Sequence, residues 1–228
     1  MTTAFFATPD SPDVVVIPAG ITDLRSFRDW THSDDFPRQG SVSYVAGEII
    51  VDMSPEEIDT HNRLKGQLYM ELFPFVEDAG VGDLFTDGMM FVNEAADVST
   101  EPDGIVCTRE GLDAGRVAYR EHSEGSGRLV EIVGSPDIVI EVISRSSVHK
   151  DTVVLFESYF AAGVREYWWI DARGETIEFR IHRRGDHEFV ANEPDAEGYV
   201  RSDVLARNFL PTRHRTPTGR WRYRLLGR

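Results

Sequence analysis

Two carboxylates in this sequence stand where carboxylates are costly. Glu141 lies inside PDIVIEVIS, from Pro136 to Ser144, a nearly continuous β-branched apolar run of the kind that forms strands buried on both faces. Burying its charge there costs several kcal/mol unless something compensates it. Side chains alternate along a strand, so Val139, Glu141 and Ile143 share one face, and Ile138, Ile140 and Val142 share the other. Asp103, in EPDGIV, opens a second strand. An aspartate at a strand end beside a buried glutamate forms a hard oxygen site, which suits magnesium or manganese (Mg2+ or Mn2+). Each acid also has a plainer reading. Glu141 fits a buried ion pair with an arginine or lysine, and Asp103 fits a turn or capping residue. The metal hypothesis rests on the pair.

Further polar residues cluster around these two in sequence. His61 follows Glu57 by one helical turn and is either a phosphate ligand or proton shuttle, or a surface histidine. Ser144, at the end of the buried run, either orients a water or phosphate or caps a turn. Tyr167, Trp168 and Trp169 suggest base stacking, but aromatics on a central strand belong to the core.

The elements that must hold these residues follow from periodicity. Residues 1–40, rich in Pro, Asp and Ser, read as an extended arm with a short helix over Ile21 to Trp30. Two strands joined at Ala46-Gly47 span Ser41 to Met53. Ser54-Pro55-Glu56-Glu57 carries helix-start chemistry, and a helix follows to about Glu77 with Leu64, Leu68, Leu72 and Phe75 on its apolar face. Strands are expected at Gly82 to Val92 and Asp103 to Thr108, separated by the acidic turn NEAADVSTEP. Residues 109–134 read as a long loop with a partial strand at Leu129 to Val133. A second helix over 151–162 and strands at Val164–Asp171, Glu175–Arg183 and His187–Ala191 complete the pattern. This is a mixed α/β (α+β) arrangement, a mixed sheet with helices packed against it.

Bulk properties bound the function. One domain is expected from 228 residues of which 41% are hydrophobic, with an arm at 1–40, a core at 41–195 and an extension at 196–228. The sole cysteine, Cys107, supports neither a disulfide nor a cysteine zinc site and reads as a small core residue. No apolar run approaches a membrane span, and MTTAFFATPD lacks the features of a secretion signal, so no membrane partner and a cytoplasmic location are expected. The net charge of -15 argues against a protein that coats nucleic acid. That charge is unevenly spread: residues 201–228 hold eight arginines and one acid, Asp203, leaving 16 basic and 38 acidic residues before them. The basic end reads as a tail. Its close, RTPTGRWRYRLLGR, interleaves Arg with Trp221 and Tyr223, a composition that grips phosphates and stacks on bases, or that neutralises the acidic body or a neighbouring subunit.

In order along the chain, GEIIVDMSP, a helix with His61 and Leu64, EPDGIVC, SPDIVIEVIS and YFAAGVREYWWID resemble the Uma2 family of endonucleases in the PD-(D/E)XK, or restriction-endonuclease-like, superfamily. The resemblance covers about residues 41–190 and implies a mixed central β-sheet flanked by helices. It implies that Asp103 and Glu141 hold a divalent metal, with the Val142 carbonyl as a further oxygen ligand, and that a nearby lysine positions the attacking water. Nucleic acid, with DNA foremost, is the implied substrate. The sequence departs from the pattern at the lysine: a literal Glu-x-Lys places it at Ile143, and related members place it at Leu155. Only Lys65 and Lys150 exist in the chain, and Lys150, nine residues after Glu141, is the better candidate, against the reading of a solvated turn lysine. Ser144 matches the serine of Glu-Val-x-Ser, and Glu48 matches a Gly-Glu pair as a third acid or a strand-edge residue. Three functions remain open: a metal-dependent nuclease, a catalytically degenerate module that binds nucleic acid or protein without cleavage, and a hydrolase of small phosphate esters. A two-fold homodimer that combines two basic ends is expected to let an acidic protein meet DNA.

Overall fold

The computed structural model describes residues 15–228. The first part of the expected N-terminal arm therefore lies outside the described residues. The short helix appears as α1 (Leu24–Thr31), opened by a reciprocal cap between Asp23 and Ser26. The hairpin is β1 (Ser41–Val45) and β2 (Glu48–Asp52), paired antiparallel so that Val45 faces Glu48. Its two-residue turn has φ of 50° at Ala46 and 87° at Gly47, the positive values that a tight hairpin turn demands.

The long helix is shorter and more irregular than its sequence suggests. Ser54 does not cap it; its N–H instead donates to Asp52 Oδ1 at 2.9 Å. Helical structure starts with a π-turn over Ile58–Asn62, runs through α2 (Arg63–Phe73) and closes with a second π-turn over Pro74–Asp78. The displaced start has a physical cause. Asn62 and Lys65 both donate to the Glu56 carboxylate, and Glu57 bonds Thr60 and pairs with Arg145, so these acids serve tertiary contacts rather than a first helical turn.

The stretch expected as one strand from Gly82 to Val92 is two, β3 (Gly82–Thr86) and β4 (Met90–Asn93), broken at Asp87-Gly88, where Gly88 has φ 85°. They enter different sheets. The acidic turn contains β5 (Val98–Thr100), fully buried and paired with β1 and β4; a bond of 2.8 Å joins the Ser43 and Thr100 hydroxyls, while the buried Ser99 hydroxyl has no partner among the described residues. After β6 (Gly104–Thr108), the expected loop over 109–134 is in fact ordered as α3 (Arg109–Asp113), β7 (Val117–Glu121) and β8 (Leu129–Gly134). Many of its polar residues lie in the connection between β7 and β8, and β7 is a short edge strand of five residues, which leaves little alternation for a sequence reading.

The apolar run forms β9 (Ile138–Val142), followed by a π-turn over Lys150–Val154, α4 (Leu155–Ala161), β10 (Glu166–Asp171), β11 (Glu178–Arg184) and β12 (Phe189–Ala191). The basic end is not a free tail. It folds into β13 (Val200–Ser202), β14 (Arg207–Arg215) and β15 (Trp221–Gly227), a three-stranded antiparallel sheet.

The mixed α+β class expected from the pattern is what the chain adopts, with its strands distributed over three sheets. The first runs β2-β1-β5-β4-β8-β7 and the second β12-β11-β10-β9-β6-β3. In the second, β9 lies parallel to β10 and antiparallel to β6, at its centre. Val139 and Tyr167 face a core shared with the first sheet and α4, whereas Ile138, Ile140 and Trp168 face α2 and the third sheet. This double coverage accounts for the near-continuous apolar run of β9. Buried Glu166 ties the third sheet to the second: it accepts bonds from the Trp168 indole, the Ser202 hydroxyl and the N–H groups of Asp203 and Val204. Cys107, Tyr167 and Trp168 are all buried in the core.

Candidate active site

Register brings the two carboxylates together. Gly104 pairs with Ile140 across β6 and β9, so one residue further along the antiparallel ladder Asp103 stands opposite Glu141. Each acid is held by the other's strand. The Asp103 N–H donates to Glu141 Oε2 at 3.2 Å, and the Val142 N–H donates to Asp103 Oδ2 at 2.7 Å. The Tyr69 hydroxyl of α2 donates to the Asp103 carbonyl. A Cβ on Gly104 would lie 2.9 Å from that hydroxyl, so only glycine lets α2 approach Asp103 this closely.

Glu141 is 3% exposed, and its bonds come from Asp103 N–H and, at 2.7 Å, from the Tyr159 hydroxyl, neither of them a cation. Burial, reinforced by the charges of Asp151 and Asp103, raises its pKa well above the usual carboxylate range. Asp151 is buried beside it; burial pushes its pKa up to about 6 against the pull of Lys150. Lys150 Nζ lies 3.6 Å from Asp151 Oδ1, an oxygen that has no hydrogen-bond partner among the described residues.

These groups line a cleft of about 780 Å³ that also admits Lys65, His61 and Glu56. Both lysines of the chain therefore face one cavity. Lys65 Nζ donates to Glu56, to Asp87 Oδ2 at 2.6 Å and to Asp103 Oδ1 at 3.2 Å. Burial works to lower the pKa of each lysine, but the surrounding carboxylates outweigh it and raise both, so both stay protonated at neutral pH. His61 Nε2 lies 3.5 Å from Asp103 Oδ2, and its Nδ1 lies 3.4 Å from Glu56 Oε1 without the geometry of a hydrogen bond. Burial opposes protonation of His61, and Asp103 overcomes it, raising the pKa.

Ser144 lines the rim, where its oxygen accepts the Ser147 N–H at 3.1 Å and closes the turn after β9. Val142 reaches the cleft at the end of β9. Glu48 is exposed on β2 and stands apart from the cleft lining. Ile143 and Leu155 are core residues, exposed by 1% and 0%. Lys65, ranked behind Lys150 by the sequence reading, lines the cleft as well, and Asp151 and Tyr159 were not singled out by it. The count of two lysines, with Lys65 four residues after His61 on one helical face, was the available signal for the first. A tyrosine hydroxyl meeting Glu141 from α4 leaves no trace in local sequence.

The chemistry of the donor set fits a hard cation. Glu141 lies buried with no cationic side chain bonded to it, Asp103 faces it and is met by Lys65, and Asp151 holds an unpartnered oxygen nearby. Among the described residues no three His, Cys, Asp or Glu side chains form a complete ligand cluster. A cation between the two acids would then draw its remaining ligands from backbone and water oxygens, as magnesium characteristically does.

A mixed sheet whose central strands end in an acidic, lysine-containing cleft defines the class of this protein as nuclease-like in fold. The chain belongs to the Uma2 family, described as "Putative restriction endonuclease", which matches residues 24–209. Among solved structures it is similar to a putative nuclease belonging to DUF820 from Anabaena variabilis, with 21% identity, a TM-score of 0.58, and coverage of 82% of this chain and 91% of that one. No curated protein matches the sequence. Among the described residues no helix is long and apolar enough to cross a membrane.

Proposed function

We propose that this protein is a cytoplasmic, metal-dependent nuclease that hydrolyses phosphodiester bonds in DNA, with Asp103, Glu141 and the Val142 carbonyl as ligands of Mg2+ or Mn2+. The observation that carries this reading is the facing pair of buried carboxylates, each held by a backbone N–H of the other's segment, with no cationic side chain bonded to Glu141. When bound, the divalent ion lowers the pKa of water and offsets charge building on the phosphate. Around it, the protonated Lys150 and Lys65 supply fixed positive charge for the phosphoryl oxygens in the cleft. His61 Nε2, beside Asp103 Oδ2, is placed to hold a proton for the leaving oxygen. Ser144 shapes the rim. The case for a degenerate module rests on the missing lysines at 143 and 155 and on the acidic body; two lysines facing the cleft from other elements speak against the first ground.

The test has two parts. Calorimetry with magnesium and with manganese compares the native chain with Glu141→Gln, which keeps shape and removes charge; binding to the native chain alone is expected. Cleavage of plasmid DNA is then expected to fall by about 100-fold or more in Asp103→Asn and Glu141→Gln, on the scale of losing one transition-state electrostatic contact. Retained cleavage in both variants would sink the reading.

A further inference from the structure

The arginines at the end of the chain serve neither the core nor the cleft chemistry. Residues 201–228 carry eight of them on an otherwise acidic protein, and the fold gathers several at the tip of the β14–β15 hairpin. Arg213 pairs with Tyr223, His214 with Arg222, and Arg215 with Trp221, so Arg213 and Arg215 share the face of Tyr223 and Trp221 while Arg222 stands on the opposite face of the same short ribbon. Their charge is uncompensated. Arg213 donates to the carbonyls of Ala172 and Gly174 and Arg215 to that of Gly219, while Arg222 is exposed; none of the three pairs with a carboxylate among the described residues. By contrast, Arg224 and Arg228 on the same strand are matched to Glu71 and to Asp195 and Glu197.

Two tethers seat this tip beside the cleft. Arg220 meets Asp59 at 3.2 Å, and Arg63 Nε donates to the Trp221 carbonyl at 3.2 Å. Asp59 lies in the π-turn that also places His61 against Asp103. On the other side, Arg213 holds Ala172, which directly follows β10, whose neighbour β9 ends at Val142 beside Asp103. The Trp221 ring is covered by the guanidinium groups of Arg213 and Arg215, at 4.1 and 3.8 Å from its centroid. The tryptophan is thereby committed to ordering cations, so the surface suits a phosphate backbone rather than stacked bases.

We propose that the tip of the β14–β15 hairpin, through Arg213 and Arg215 on one face and Arg222 on the other, binds the phosphodiester backbone of DNA and leads it to the cleft. The proposal rests on the nuclease reading above, and it gives an acidic protein the local positive field that its net charge denies it.

Anisotropy of a short labelled DNA duplex in EDTA measures binding without cleavage, across a salt series. The native chain is compared with Arg213→Gln/Arg215→Gln/Arg222→Gln, with Arg222→Gln alone, and with Arg228→Gln at the opposite end of β15. Each lost phosphate contact lowers the slope of log affinity against log salt by about 0.7 to 0.9. The triple variant is therefore expected to lose a slope of about 2 to 3, Arg222→Gln to lose about 1, and Arg228→Gln to match the native chain. Arg222 is exposed and makes no side-chain bond among the described residues, so its replacement tests the surface even where the triple variant is unfolded by circular dichroism. Arms with the single strand and with RNA of the same sequence separate the sources of the backbone. Slopes unchanged in Arg222→Gln and in a folded triple variant, or no binding by the native chain, would overturn the proposal. Cleavage in magnesium distinguishes the two claims: a native chain that cleaves while the hairpin variants bind normally keeps the nuclease and loses the surface. A chain that binds through the hairpin without cleaving does the reverse.

Discussion

At the scale of single residues, the cleft is a collection of carboxylates forced into a poor solvent. Asp151 makes the consequence measurable, because burial pushes its pKa from 3.8 up to about 6. An acid whose folded-state pKa is raised stabilises the fold fully below its unfolded pKa and loses that contribution as pH rises through the folded value. Without metal, the contribution of Asp151 to stability is therefore expected to be lost between about pH 4 and pH 6. Asp151→Asn should flatten that segment of a urea-melt series against pH and leave the variant more stable than the native chain at neutral pH. An unchanged profile would mean that Lys150 already compensates the buried charge.

Among elements, the junction between the second and third sheets is polar and concentrated on one side chain. Glu166 is 1% exposed and accepts from four donors. Glu166→Ala strands buried donors on both sides of the junction, each worth about 1 to 3 kcal/mol when left unsatisfied. We expect a loss of about 3 kcal/mol or more by denaturant unfolding, with Glu166→Gln milder because it keeps an acceptor. A loss under about 1 kcal/mol for the alanine variant would show that water replaces the carboxylate. Element boundaries were the part of the fold least visible beforehand. The strand β5 is three residues long inside an acidic segment, too short to display alternation, and is made by pairing with β1 and β4 rather than by propensity.

For the whole molecule, charge is the governing quantity. An acidic body that carries several uncompensated arginines at the tip of one hairpin offers a local approach for a polyanion there, and a two-fold dimer would offer two such hairpins to one duplex. Sedimentation at micromolar concentration is expected to give twice the mass of one chain. A monomer at every concentration would assign DNA approach to one hairpin alone.

Some of this was determined by sequence without the fold. The run PDIVIEVIS required a strand buried on both faces and left Glu141 as an anomaly needing explanation, while EPDGIV placed a second acid at a strand start; both follow from local patterning. Tertiary structure alone decided what the anomaly meets. The antiparallel register of β6 and β9 set Asp103 opposite Glu141, α4 supplied the Tyr159 hydroxyl, and α2 brought Lys65 to Asp103. It also turned the arginine-rich end from a tail into a sheet whose inner face holds Phe209, Tyr223 and Leu225 in the core. Periodicity reports which way a side chain faces within its own element, whereas partners many residues away are chosen by packing, which no local window contains.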